Sequence, residues 1–75
     1  SEVYFRKLFK EYSGSSPSEY RIKTKIHKVK AYLRTTNLTI SEIAERLNFT
    51  DASYLIKIFR ELEGITPLEY KKTLK

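Results

Sequence analysis

Cysteine, methionine and tryptophan are all absent from these 75 residues, and glycine and proline occur twice each. Without cysteine there is neither a disulfide staple nor a thiolate-ligated metal centre, a composition that suits a reducing compartment. Two glycines, at Gly14 and Gly64, do not make a glycine-rich phosphate loop. No apolar run approaches the roughly 18 residues that a membrane-spanning helix needs, and no secretory signal is visible. The one histidine, His27, has Lys23, Lys30 and Ala31 as helical neighbours and no carboxylate at that spacing. Glu42 and Glu45 stand one helical turn apart on a short polar stretch, where solvating the surface is a simpler reading than acid–base pairing. No enzymatic activity, metal or cofactor is expected.

Aromatic residues and positive charge are what the chain has. Hydrophobic residues make up 40% of it, with six Tyr and four Phe, which argues for a packed fold rather than disorder. The length allows one small domain, near the size at which a single core barely suffices. The formal charge is +6. It is unevenly spread: residues 1–36 hold nine Lys/Arg against Glu2, Glu11 and Glu19, while residues 37–75 hold six of each sign. A basic half points to a polyanionic partner, nucleic acid before membrane; a solubilising helix face is the plainer alternative.

Residues 1–20 recur, weakly disguised, at 51–70. At an offset of fifty, Tyr4/Tyr54, Lys7/Lys57, Phe9/Phe59, Glu11/Glu61, Gly14/Gly64, Pro17/Pro67, Glu19/Glu69 and Tyr20/Tyr70 are identical. One supersecondary unit is therefore used twice. The second copy is preceded by residues 26–50, which have no counterpart before the first, so the first unit is expected to begin partway through.

Helix signals punctuate the chain. Ser16-Pro17-Ser18-Glu19 and Thr66-Pro67-Leu68-Glu69 each join an N-cap hydroxyl, a proline at the first helical position and a glutamate three residues after the cap. Thr39-Ile40-Ser41-Glu42 is a capping box without proline, and Gly14 and Gly64 suit left-handed helix ends. The expected fold is all-α, with about five helices at 1–12, 17–36, 40–47, 51–62 and 67–73, and no sheet. Apolar spacing agrees: Ile22, Ile26, Val29 and Leu33 stripe the long helix, and Ile40, Ile43, Ala44 and Leu47 the next. Tyr54, Leu55, Ile58, Phe59 and Leu62 repeat the logic, as do Tyr4, Phe5, Leu8, Phe9 and Tyr12. At this spacing the aromatics read as core rather than as a stacking platform for bases.

Helices 40–47 and 51–62 are joined by Asn48-Phe49-Thr50, with Asp51 as N-cap, the signature of a helix-turn-helix. Asn48 stands where many such turns carry glycine, and asparagine tolerates positive φ. With Leu55, Ile58, Phe59 and Leu62 inward, helix 51–62 turns Ser53, Lys57 and Arg60 outward, with Ala52 and Ile56 on the flanks. Short residues near a recognition helix's N-terminus let its backbone approach base edges, and cations beyond them suit guanines or phosphates. Ile56 fits either a thymine methyl or a partly buried flank. In the first copy Val3, Arg6, Lys7 and Lys10 point outward. The connecting helix, roughly 30 Å long at 1.5 Å per residue, approaches the ~34 Å repeat of major-groove openings on one face of B-DNA. Arg21, Lys23, Lys25, Lys28, Lys30 and Arg34 coat it and are candidates for phosphate contact.

The spans IAERLNFTDASYLIKIFRELEGITPLEY and YFRKLFKEYSGSSPSEY resemble the DNA-binding domain of AraC/XylS-type bacterial transcription regulators. Ile43-Ala44, Asn48-Phe49, Ser53-Tyr54, Phe59-Arg60, Gly64-Ile65-Thr66-Pro67 and Glu69-Tyr70 carry the likeness. It implies two homeodomain-like helix-turn-helix units, joined by a long helix, in adjacent major grooves. By family position Val3, Arg6 and Lys7 would read bases in one unit and Ala52, Ser53, Ile56 and Lys57 in the other; Lys10 and Arg60 are the phosphate candidates. It also implies two helices ahead of residue 1. Residues 1–16 then hold the remnant of a first unit, 17–36 a linker helix and 37–75 a complete second unit. The family usually has a small residue where this chain has Lys30, with Ala31 one place later, which bears on how the linker helix packs.

Double-stranded DNA is thus the expected partner, with RNA polymerase a further one through the parent protein, in the bacterial cytoplasm at the nucleoid. The alternative is a helical interaction module that self-associates through the apolar side of helix 1–12 and binds DNA only nonspecifically.

Overall fold

Residues 16–74 are described by the structure, a computed structural model, and they form four helices and no strand. These are α1 (Pro17–Thr35), α2 (Ile40–Arg46), α3 (Ala52–Glu63) and α4 (Pro67–Thr73). Helix about 1–12, and with it Val3, Arg6, Lys7 and Lys10, lies outside the described residues.

Each helix starts where a side chain captures an N–H that the helix cannot pair internally. Ser16 Oγ accepts from the Glu19 N–H at 3.2 Å, and Asp51 Oδ1 accepts from the Tyr54 N–H at 2.8 Å. Thr39 with Glu42, and Thr66 with Glu69, form complete reciprocal capping boxes. Pro17 and Pro67 occupy first turns, where their missing N–H costs nothing. Gly64 ends α3 at φ 83° and donates its N–H to Arg60 O at 2.8 Å. The helix limits agree with the expected ones to within one residue.

The core gathers Ile26, Val29 and Leu33 from α1, Ile43 and Ala44 from α2, Phe49 from the turn, and Leu55 and Phe59 from α3. Burying each of the larger side chains contributes about 1.5–3 kcal/mol. Ile22, Ile40, Leu47, Ile58 and Tyr70 pack around this centre, half buried. Two side chains depart from the expected inward set. Leu62 is 42% exposed: it has the right angle on α3, but it lies in the last turn, beyond the buried centre. There it faces Ile22 and Lys23 of α1 across an open groove. Tyr54, 40% exposed, leans its ring on Phe49 with centroids 6.2 Å apart.

Candidate nucleic-acid interface

The turn between α2 and α3 is fixed by its own hydrogen bonds. Leu47 caps α2, and Asn48 follows in the left-handed region at φ 60°. The Phe49 N–H reaches back to Ala44 O at 2.9 Å, and the Asn48 N–H to Glu45 O at 3.3 Å. This six-to-one and five-to-two pair is a Schellman motif, with asparagine where glycine is commonest. Its apolar contact is Phe49, 8% exposed, which joins the core between the helices. The chain therefore leaves α2 in one defined direction, and Asp51 launches α3 from it.

α3 then divides sharply by burial. Leu55 and Phe59 have no exposed surface, while Ser53, Lys57 and Arg60 are exposed and Ala52 is half buried. Ile56 is 38% exposed, which favours the open rather than the core-flanking alternative. Ala52, Ser53, Ile56, Lys57 and Arg60 thus share one rigid element whose opposite side is anchored. A groove of about 520 Å³ opens beside its N-terminal end, between Ser41 and Glu45 of α2 and Asn48, Thr50 and Ala52. Ser41 and Thr50, both exposed, do not stand out by sequence spacing, because their place at the groove depends on the angle that the turn sets.

Three of the six cations on α1 are engaged within the molecule instead of pointing freely to solvent. Lys25 Nζ lies 3.4 Å from Asn48 O and 5.3 Å from the Phe49 ring centroid. Lys30 Nζ lies 2.8 Å from Glu63 Oε1 and 5.8 Å from the Tyr70 ring centroid. Arg34 Nη1 donates to Tyr70 Oη at 3.2 Å. Arg21, Lys23 and Lys28 remain exposed. Lys30 is thus accommodated at the edge of the packing rather than inside it.

Two carboxylates, on α2 and α4, also have structural work. Glu42 Oε1 accepts from the Thr39 N–H at 3.0 Å, and Glu69 Oε1 from the Thr66 N–H at 2.9 Å. These backbone bonds first, then the threonine hydroxyls, hold both carboxyls below the usual range. Glu42 is therefore a helix cap rather than half of an acid–base pair with Glu45. Among the described residues no group of His, Cys, Asp or Glu could hold a metal ion, and no helix is long and apolar enough to cross a membrane.

Comparison with known proteins agrees with this geometry. The family model described as "Helix-turn-helix domain" matches residues 1–73. The HTH-type transcriptional regulator YtdP of Bacillus subtilis is 36% identical over 69 residues, 92% of this chain and 9% of that protein. The HTH-type transcriptional activator RhaR of Cronobacter sakazakii is 34% identical over 72 residues, 96% of this chain and 25% of its own length. The chain thus spans a quarter or less of these two relatives. The fold is similar to the crystal structure of the DNA-binding domain of AdpA, a global transcriptional factor solved with a target DNA. The TM-score is 0.88 at 26% identity, over 97% of this chain and 66% of that one. Sequence motif, turn geometry and these likenesses converge: the chain belongs to the AraC-type helix-turn-helix domain family, the DNA-binding domain of bacterial transcription regulators.

Proposed function

We propose that this domain binds double-stranded DNA sequence-specifically, with α3 in one major groove and a second recognition helix, about residues 1–12, in the adjacent one. The observation that carries the reading is the outward face of α3. Ser53, Ile56, Lys57 and Arg60 are exposed together on a helix whose other side is fixed by Leu55 and Phe59. Ala52 lets the backbone approach base edges, Ser53 hydrogen-bonds to them, Ile56 meets a thymine methyl and Lys57 reaches guanine acceptors. Arg60, further along, contacts phosphate. By the fifty-residue repeat, Val3, Arg6 and Lys7 read bases and Lys10 contacts phosphate in the first unit.

The domain plan follows the same repeat: residues 1–16 carry the first recognition helix, 17–36 the linker and 37–75 the second unit. α1 has 19 residues, or about 29 Å of helix, close to the ~34 Å between groove openings on one face of DNA. The longer regulator that such a domain serves would work at the nucleoid in the cytoplasm and contact RNA polymerase through its other parts.

Selection of sites from a random duplex library by the 75-residue chain tests this reading. Two conserved half-sites about ten base pairs apart are expected. One half-site would assign sequence reading to α3 alone, and no enrichment by a folded chain would overturn specific binding. A second reading, self-association, is favoured by one observation: Leu62 and Leu68 are 42% and 60% exposed. Sedimentation that shows a monomer at all concentrations would remove it.

A further inference from the structure

Lys25 and Lys30 flank the buried stripe of α1 on opposite sides. Ile26, Val29 and Leu33 define the direction of that stripe, and at about 100° per residue the two lysines stand roughly 70° to either side of it. Each reaches a different end of the α3 segment. Lys25 touches the carbonyl of Asn48 and the ring of Phe49, just ahead of α3. Lys30 pairs with Glu63, the last residue of α3, and lies over Tyr70 of α4. Both side chains are half buried.

An apolar stripe alone holds a helix weakly against rolling about its axis, because hydrophobic attraction has no direction. Charged hydrogen bonds do have direction. One on each flank opposes a roll in either sense, as two guy lines hold a mast. We propose that Lys25 and Lys30 are positioning residues that fix the angle of α3 on α1. Through it they fix the rotational phase at which the two recognition helices meet DNA; this last consequence rests on the two-groove reading above. Their charge is thereby committed to Asn48, Phe49 and Glu63, and the phosphate-facing surface of α1 is left to Arg21, Lys23 and Lys28. Lys30 is not a misplaced bulky residue at a position suited to a small one but one of the two stays.

Residual dipolar couplings of the free 75-residue chain read the α1–α3 angle directly. The Lys25→Ala/Lys30→Ala double variant is expected to shift or broaden that angle by more than about 10°. Lys25→Arg/Lys30→Arg should restore it, and Lys23→Ala/Lys28→Ala, which removes the same two charges from the same rod, should leave it unchanged. Glu63→Ala withdraws Lys30's partner without touching α1 and is expected to act in the same direction as the double variant. Unchanged couplings in a folded double variant would overturn the clamp.

The DNA readout is a series of duplexes whose half-sites are moved one base pair at a time, about 35° of rotation each. The wild-type preference for one spacing is expected to fall roughly three- to tenfold in the double alanine variant and return with arginine. Altered couplings together with a flat wild-type spacing profile would sink the two-groove reading while upholding the clamp.

Discussion

The rings of Phe59 and Tyr70 lie 5.8 Å apart, tilted by 53°, so that α4 sets an aromatic ring against the largest fully buried side chain of α3. Tyr70 also receives a hydrogen bond from Arg34 and lies beneath Lys30. Its ring and its hydroxyl therefore do separable things, one closing the core and the other meeting α1 at the surface. Tyr70→Phe removes an exposed bond and is expected to cost under about 1 kcal/mol. Tyr70→Ala opens the core beside Phe59 and should cost ~2–4 kcal/mol. Urea unfolding of the two variants separates ring from hydroxyl, and equal losses would contradict the assignment.

Asn48 and Gly64 occupy the left-handed region, at φ 60° and 83°. A Cβ added to Gly64 would meet nothing within 4 Å, so any penalty there comes from the backbone alone. Gly64→Ala and Asn48→Val are each expected to destabilise by about 1–2 kcal/mol. Asn48→Gly should be neutral or stabilise by less than about 1 kcal/mol, because glycine is at ease in that region. Thermal melts check all three; a large loss in Asn48→Gly would mean that the asparagine side chain itself holds the turn.

Stability should fall toward acid through the capping boxes. Glu42 and Glu69 have carboxyls held below their ordinary range by the N–H and hydroxyl of Thr39 and Thr66. The folded state therefore binds fewer protons than the unfolded one wherever these groups titrate. Their contribution is complete above the unfolded carboxylate pKa and disappears as pH falls through the depressed folded value. The melting-temperature gap between wild type and Glu42→Ala/Glu69→Ala is expected to be widest near neutrality and to close in acid. A gap independent of pH would show that the carboxylate charge plays no part in the caps.

On DNA, Lys57 and Arg60 should fail in different ways. Lys57→Ala is expected to cost about 1–3 kcal/mol on the best site and to relax discrimination at one base pair. Arg60→Ala should weaken all sequences alike and lower the slope of log affinity against log salt by about one. Titrations at several salt concentrations, on the selected site and a scrambled duplex, distinguish the two. Identical behaviour of the variants would undo the division between base and phosphate contacts.

Helix limits and the helix-turn-helix are legible in the sequence because their signals are local. Ser16, Thr39, Asp51 and Thr66 each catch an N–H three residues on, and Asn48 and Gly64 each turn the chain within one residue. The outward set of α3 is legible for the same reason, since helical rotation separates Lys57 from Leu55. What rotation cannot supply is position along the axis or the identity of a distant neighbour. Leu62 has the angle of a core residue but sits a turn too far along α3. Lys25, Lys30 and Arg34 read as solvent-facing cations, yet each partner lies on a different element, brought near only by the fold.

The contrast between near and far partners also has a consequence in time. Caps that join residues three apart close loops of almost no length, and helical folds built mainly of such contacts assemble in microseconds to milliseconds. The bond from Arg34 to Tyr70 instead spans 36 residues of sequence, and long loops close late because more chain entropy must be lost first. α2, α3 and α4 carry their own start signals and can nucleate before α1 is gripped at its far end. In a growing polypeptide α1 emerges first, yet its bonds to Glu63 and Tyr70 wait until the end of the domain has been made, so the seat of α1 would be the last part of the fold to close.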